Sequence, residues 1–98
     1  MRNAITKQQV QAMQSSNESI TLIDIRSIEE YEKLHVPGVM NIPFEQVAEK
    51  LSAFNKADTV VCVCNHGKER SQKAAELLFD NGFENAFYLE GGTGGWFN

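Results

Sequence analysis

Thr59-Val60-Val61-Cys62-Val63 runs directly into Cys64-Asn65-His66-Gly67-Lys68-Glu69-Arg70-Ser71, and the reading of this junction decides the fold. The first five residues are β-branched or otherwise apolar and read as a buried strand. Beyond the junction Ala74, Ala75, Leu77 and Leu78 recur at helical spacing. Cys64 therefore sits at a strand-to-helix turn, where free backbone N–H groups converge at the positive end of a helix dipole. With Lys68 and Arg70 nearby in the chain, such a turn favours the thiolate and brings the pKa below the ~8.5 of a free thiol. This makes Cys64 the candidate nucleophile; the plainer alternative is an inert thiol packed as a small apolar residue. Cys62 lies inside the apolar run, where a thiol is held desolvated and neutral, and reads as a spectator.

Working outward, further apolar runs alternate with helical patterns. Residues 20–25 are rich in β-branched side chains and read as a strand, with Asp24 and Arg26 at its carboxyl end. That end of a parallel strand faces the ligand crevice, but an Asp and Arg bracing a loop is the favoured reading. Ser27 with Glu30 makes a capping box for a helix over 28–34, which must stop before Pro37. His35 in the turn His35-Val36-Pro37-Gly38 reads as structural. A short strand over 39–42 ends at Pro43, and Phe44, Val47, Ala48 and Leu51 then line one face of a helix. Upstream, Thr6 with Gln9 caps a helix carrying Val10 and Met13, preceded by a small strand at Ala4-Ile5. Downstream, the spacing predicts a helix over 71–81 stopped by Gly82, then a last strand over 86–89. Gly91-Gly92-Thr93-Gly94-Gly95 before Trp96 predicts tight turns and close backbone approach. It is not a dinucleotide fingerprint, which needs a longer helix after the glycines. Five strands alternating with helices imply an α/β fold, a mostly parallel sheet covered on both faces.

Composition bounds the function. At 98 residues the chain reads as one domain over 1–98, able to bury a core without disulfides or a structural metal. A net charge of −4 argues against a nucleic-acid footprint, although the cysteine loop is locally basic. Cys62 and Cys64, two apart in a strand, are poorly placed to bridge each other, and a reducing compartment is expected. The first fifteen residues lack an apolar core of signal-peptide length and no run approaches a membrane span, so the expectation is a cytoplasmic protein with no membrane partner.

Several of these segments together resemble one family. Leu22-Ile23-Asp24-Ile25-Arg26, Glu30-Tyr31 leading to His35-Val36-Pro37-Gly38, Asn41-Ile42-Pro43, the cysteine loop, and Gly91-Gly92 followed by Trp96 are similar, in order and over nearly the whole chain, to the rhodanese-like family. The resemblance implies a rhodanese-like sheet of about five strands and a sulfurtransferase that needs no metal or cofactor. Cys64 would accept a sulfane sulfur from thiosulfate or another small anionic persulfide donor and pass it to a thiol, to cyanide or to a partner protein. Asn65, His66, Gly67, Lys68, Glu69 and Arg70 would form the substrate-binding loop. In it, backbone N–H groups cradle the anionic persulfide, and Lys68 and Arg70 contact an oxyanion. Gly67 supplies backbone geometry and His66 shapes the turn.

The chain departs from this family at one point. Five residues separate Cys64 from Arg70, one more than family sulfurtransferases usually have. Cys-x5-Arg is also the signature of cysteine phosphatases, and the fold includes cell-cycle phosphatases and arsenate reductases, so the wider loop would suit phosphate or arsenate. Against that reading, Val63 stands where phosphatase signatures commonly have His, and Glu69 is the only evident candidate for a general acid. A third alternative is a non-catalytic sulfur-carrier or partner-binding module, which an intact Cys64 with Arg70 argues against.

Overall fold

The computed structural model describes residues 3–98. In chain order it contains β1 (Ala4–Ile5), α1 (Lys7–Ser15), β2 (Ile20–Asp24), α2 (Ile28–Lys33), β3 (Met40–Asn41), α3 (Phe44–Lys50), β4 (Thr59–Val63), α4 (Glu69–Asp80), β5 (Ala86–Leu89) and α5 (Gly92–Trp96). The strands form one sheet in the order β1-β5-β4-β2-β3, and every pairing is parallel. β4 lies in the middle, with Leu22 opposite Val61 on one side and Phe87 opposite Val61 on the other.

The two-residue period of a strand sorts β4 between two cores. Val60, Cys62 and Cys64 face a cluster with Ile23, Ile25, Val47 of α3, and Ala74, Ala75 and Leu78 of α4. Val61 and Val63 face the other, with Leu22, Val10 of α1, Val36, Leu89 and Trp96 of α5. Fully burying each large aliphatic side chain is worth about 1.5–3 kcal/mol. The two alanines of α4 let that helix lie close over the central strand. Both expected capping boxes form, Thr6 with Gln9 and Ser27 with Glu30. Among the described residues no helix is long and apolar enough to cross a membrane, and no His, Cys, Asp or Glu cluster could hold a metal ion.

Several boundaries differ from the sequence reading. α4 starts at Glu69 rather than Ser71, because Gly67 at φ +69 reverses the chain and Lys68 takes the N-cap position. Arg70 therefore belongs to the first helical turn. α2 stops at Lys33, with Leu34 already extended, and the third strand narrows to Met40–Asn41, which pair with Ile23 and Asp24 of β2. α3 continues into a 3-10 turn at Leu51–Ala53. The glycine segment, expected as turns alone, folds after Gly91 into α5, despite the poor helix propensity of glycine.

Candidate active site

Cys64 leaves β4 at the carboxyl end of the central strand and is 3% exposed. Its thiol donates to the Ser71 hydroxyl at 3.1 Å, and that hydroxyl donates to the Lys68 carbonyl at 3.1 Å. Ser71 is the first buried residue of α4, so the helix that covers the sheet also delivers the hydroxyl to the thiol. When the thiol loses its proton, the hydroxyl can rotate from the carbonyl to the sulfur without moving its oxygen.

The second strap comes from the glycine segment. The Thr93 N–H donates to the Cys64 carbonyl and the Gly94 N–H to the Asn65 carbonyl, each at 2.9 Å. In a trans peptide the carbonyl and the following N–H point in opposite directions, so tying the Asn65 carbonyl outward turns the His66 N–H inward. The approach is too close for side chains. A Cβ on Gly92, at φ +59, would lie 2.5 Å from the Cys64 carbonyl oxygen, and one on Gly67 would lie 2.5 Å from the Leu89 carbonyl oxygen.

These contacts set the charge state. Burial pushes the Cys64 thiol up, but the Ser71 hydroxyl and the backbone N–H groups of Ser71, Lys68 and His66 outweigh it, and its pKa falls below that of an ordinary thiol. Burial dominates at Cys62, which is pushed up to about 12. The pH profile of iodoacetamide labelling should therefore inflect below that of a free thiol and report Cys64 alone; an inflection at or above the free-thiol value would mean that burial prevails.

A chain of polar contacts fixes the loop from the other side. Buried Arg26 grips Asp24 through Nε and Nη2, the latter 2.7 Å from Oδ2, and Nη2 also donates to the Leu34 carbonyl. The Arg26 Nη1 donates to Asn65 Oδ1 at 2.9 Å, and Asn65 Nδ2 donates to Glu30 Oε2 at 2.9 Å. Glu30 in turn faces Arg70 Nη1 at 3.4 Å. The hydrogen bond from Asn65, with smaller help from Ser27 and Arg70, holds the Glu30 carboxyl down at about 2. Its folded-state pKa is thus below the unfolded value of ~4.3, so its contribution is complete at neutral pH and lost as pH falls from that value toward 2. Acid titration should show wild-type stability falling more steeply across that window than in Glu30→Gln, a difference that vanishes if the bond to Asn65 is absent.

Around Cys64 a cavity of about 200 Å³ is lined by Asn65, His66, Lys68, Glu69 and Arg70. Gly67 is buried against the backbone of Leu89 and Gly91 and does not line it. The Asn65 side chain is engaged by Arg26 and Glu30 and its carbonyl by the Gly94 N–H. Glu69 is exposed and paired with Lys73 at 3.1 Å. Asp24 and Arg26 act as the loop brace, and His35 stacks on Tyr31 at 3.9 Å with Nδ1 2.8 Å from the Tyr31 carbonyl. Sequence reasoning missed the Ser71 hydroxyl as the thiol's partner, and it missed the second role of Glu30. Ser71 could have been found as the first inward-facing position of the helix; Glu30 carried no signal beyond its capping box.

The family model for the rhodanese-like domain matches residues 6–98. The putative sulfur carrier protein YrkF of Bacillus subtilis is 37% identical over 81 residues, covering 83% of this chain, which spans only 43% of that protein's length. The thiosulfate sulfurtransferase GlpE of Shewanella oneidensis is 32% identical over 78 residues, covering 80% of this chain and 76% of its own. The human single-domain sulfurtransferase TSTD1 superposes with a TM-score of 0.87 at 24% identity, over 99% of this chain and 96% of that one, a likeness of fold. A parallel five-stranded sheet, a cysteine loop at its central carboxyl edge and a match running almost from end to end agree: the chain belongs to the rhodanese-like domain family.

Proposed function

We propose that this chain is a sulfurtransferase that carries sulfane sulfur on Cys64. The observation that supports it best is the Cys64 thiol, held by the Ser71 hydroxyl and three loop N–H groups at the floor of a cavity with Lys68 and Arg70 on its rim. The Cys64 thiolate attacks the outer sulfur of thiosulfate, the S–S bond of the donor breaks, and sulfite leaves with the bonding pair. Cys64 persulfide remains, its charge met by the loop N–H groups. An acceptor thiolate or cyanide then attacks the outer sulfur and returns Cys64 as the thiolate. No proton has to be supplied to a leaving group in either step. The names of the relatives, a thiosulfate sulfurtransferase and a putative sulfur carrier, support this chemistry, and a protein thiol is a suitable acceptor. Both cysteines are free, which suits a reducing compartment such as the cytoplasm.

The test is intact mass after exposure to thiosulfate, which should add one sulfur atom, and parallel incubation with arsenate and an aryl phosphate. The Cys64-x5-Arg70 spacing favours a second reading, oxyanion binding of phosphatase or arsenate-reductase type. Under it, Glu69 would have to be the acid, yet that side chain is exposed and engaged with Lys73. Robust aryl-phosphate turnover that disappears in Glu69→Gln would replace sulfur transfer by that reading.

Arg70 is the residue on this rim whose substitution separates donors. Arg70→Ala should lower kcat/KM for thiosulfate by roughly tenfold to 150-fold, the loss of one charged hydrogen bond of about 1.5–3 kcal/mol. An unchanged value would confine Arg70 to holding Glu30.

A further inference from the structure

α5 is held at both ends by other parts of the chain. Three of its five residues are glycine, so its own propensity does not keep it folded. At its start the Thr93 and Gly94 N–H groups donate to the Cys64 and Asn65 carbonyls. At its end the Trp96 carbonyl, an acceptor the helix leaves without an internal partner, takes a hydrogen bond from the Lys7 ammonium, 89 residues away in the chain. The same ammonium lies 5.1 Å from the centre of the Trp96 ring, within the range of a cation–π contact. That ring is buried in the core with Val10 of α1 and Val63 of β4. Lys7 itself stands on a fixed base, directly after the Thr6 cap that bonds Gln9 and the edge residue Ile5 that pairs with Leu89. For α1 a cation at its first residue is unfavourable, since it meets the positive end of the helix dipole and no acidic residue in the first turn offsets it. At the last carbonyls of α5 a cation is favourable. The charge at Lys7 thus serves α5 rather than the helix that carries it.

We propose that Lys7 is a positioning residue for Cys64: it fastens the far end of α5 and so keeps Thr93 and Gly94 seated on the carbonyls of the cysteine loop. The connection between them is continuous. The Gly94 N–H holds the Asn65 carbonyl outward, the planar peptide then directs the His66 N–H inward, and that N–H is one of the groups that favour the Cys64 anion. Without the bond to the Trp96 carbonyl the glycine-rich turn loses its terminal anchor, the strap opens part of the time, and the anion is less favoured. The assignment rests on Cys64 as the reactive thiol and is independent of what that thiol carries.

Three variants of the full chain test this. Lys7→Met removes the donor and the charge but keeps an unbranched apolar stem, Lys7→Gln is the milder loss, and Lys7→Arg keeps both a donor and a cation. Amide hydrogen exchange at Thr93 and Gly94 should speed up about tenfold or more in Lys7→Met, the loss of one charged hydrogen bond, and return to within about threefold of wild type in Lys7→Arg. The midpoint pH of iodoacetamide labelling of Cys64 should rise in Lys7→Met, rise less in Lys7→Gln, and fall back in Lys7→Arg. The rise should persist at about 0.5 M salt, which screens a direct effect of the lost charge on the thiol. A merely structural contact would lower the melting temperature and leave the midpoint where it was. That result in Lys7→Met or, should that variant not fold, in Lys7→Gln overturns the assignment. So does a rise that salt abolishes, or a Lys7→Arg variant that labels like Lys7→Met. Sulfur loading of wild-type Cys64 from thiosulfate with no midpoint shift in the variants removes the role of Lys7 and leaves the transfer reading. A midpoint shift with no sulfur ever carried on Cys64 does the reverse.

Discussion

Cys64→Ser should end sulfur loading and lower turnover by at least about 10³-fold, while Cys62→Ser should leave both near wild type. The two thiols are separated by one residue and face the same core cluster, so proximity alone does not distinguish them. Their surroundings do. Cys64 meets a hydroxyl and three N–H groups that favour its anion, whereas Cys62 is entirely buried among aliphatic side chains and held neutral by a pKa of about 12. A serine at 64 keeps the shape of the site, but its alkoxide is inaccessible near neutral pH. Intact mass and cyanide-dependent turnover read the result. Equal loss in both variants, with the fold intact by circular dichroism, would require a two-cysteine mechanism.

Asp24→Ala should destabilise the protein by about 3–5 kcal/mol, a large share of the roughly 5–15 kcal/mol that holds a domain together. Asp24 is fully buried and Arg26 is 4% exposed, so removing the carboxylate strands a guanidinium that stays charged inside the protein. Arg26 also carries Asn65, and the loop should loosen with it. Urea unfolding gives the size of the effect. The double variant Asp24→Ala, Arg26→Met should recover part of the loss, because replacing both partners removes the unpaired charge. A loss below about 1 kcal/mol in the single variant would put this pair in the class of exposed ion pairs.

The sequence made legible what local chemistry decides. A β-branched run, a glycine three residues beyond the cysteine and a helical period after it locate the strand, the turn and the candidate nucleophile. The Asp24–Arg26 brace was legible because its partners are two residues apart at a strand end. Distance in the chain hid the rest. Glu30 reads as half of a capping box, and nothing local shows that it also reaches Asn65 and Arg70, 35 and 40 residues away. The start of α4 was misplaced because Lys68 has none of the side-chain oxygens that announce an N-cap. α5 was missed because a run of glycines opposes a helix by about 1 kcal/mol each, and its order comes from bonds to the cysteine loop.

The strap between the glycine segment and the cysteine loop also sets an order of events during synthesis. The ribosome delivers about 5–20 residues per second, so roughly 1–6 s separate the emergence of Cys64 from that of Thr93. Until Thr93 and Gly94 arrive, the Cys64 and Asn65 carbonyls have no partner there, and the His66 N–H is not yet fixed toward the sulfur. The sheet edge waits as well, since Ala4 of the first strand pairs with Tyr88 of the last. During that interval one of the three N–H groups that favour the Cys64 anion is not yet held in place. The set of N–H groups that favours the Cys64 anion is therefore completed late, by the segment that straps the cysteine loop.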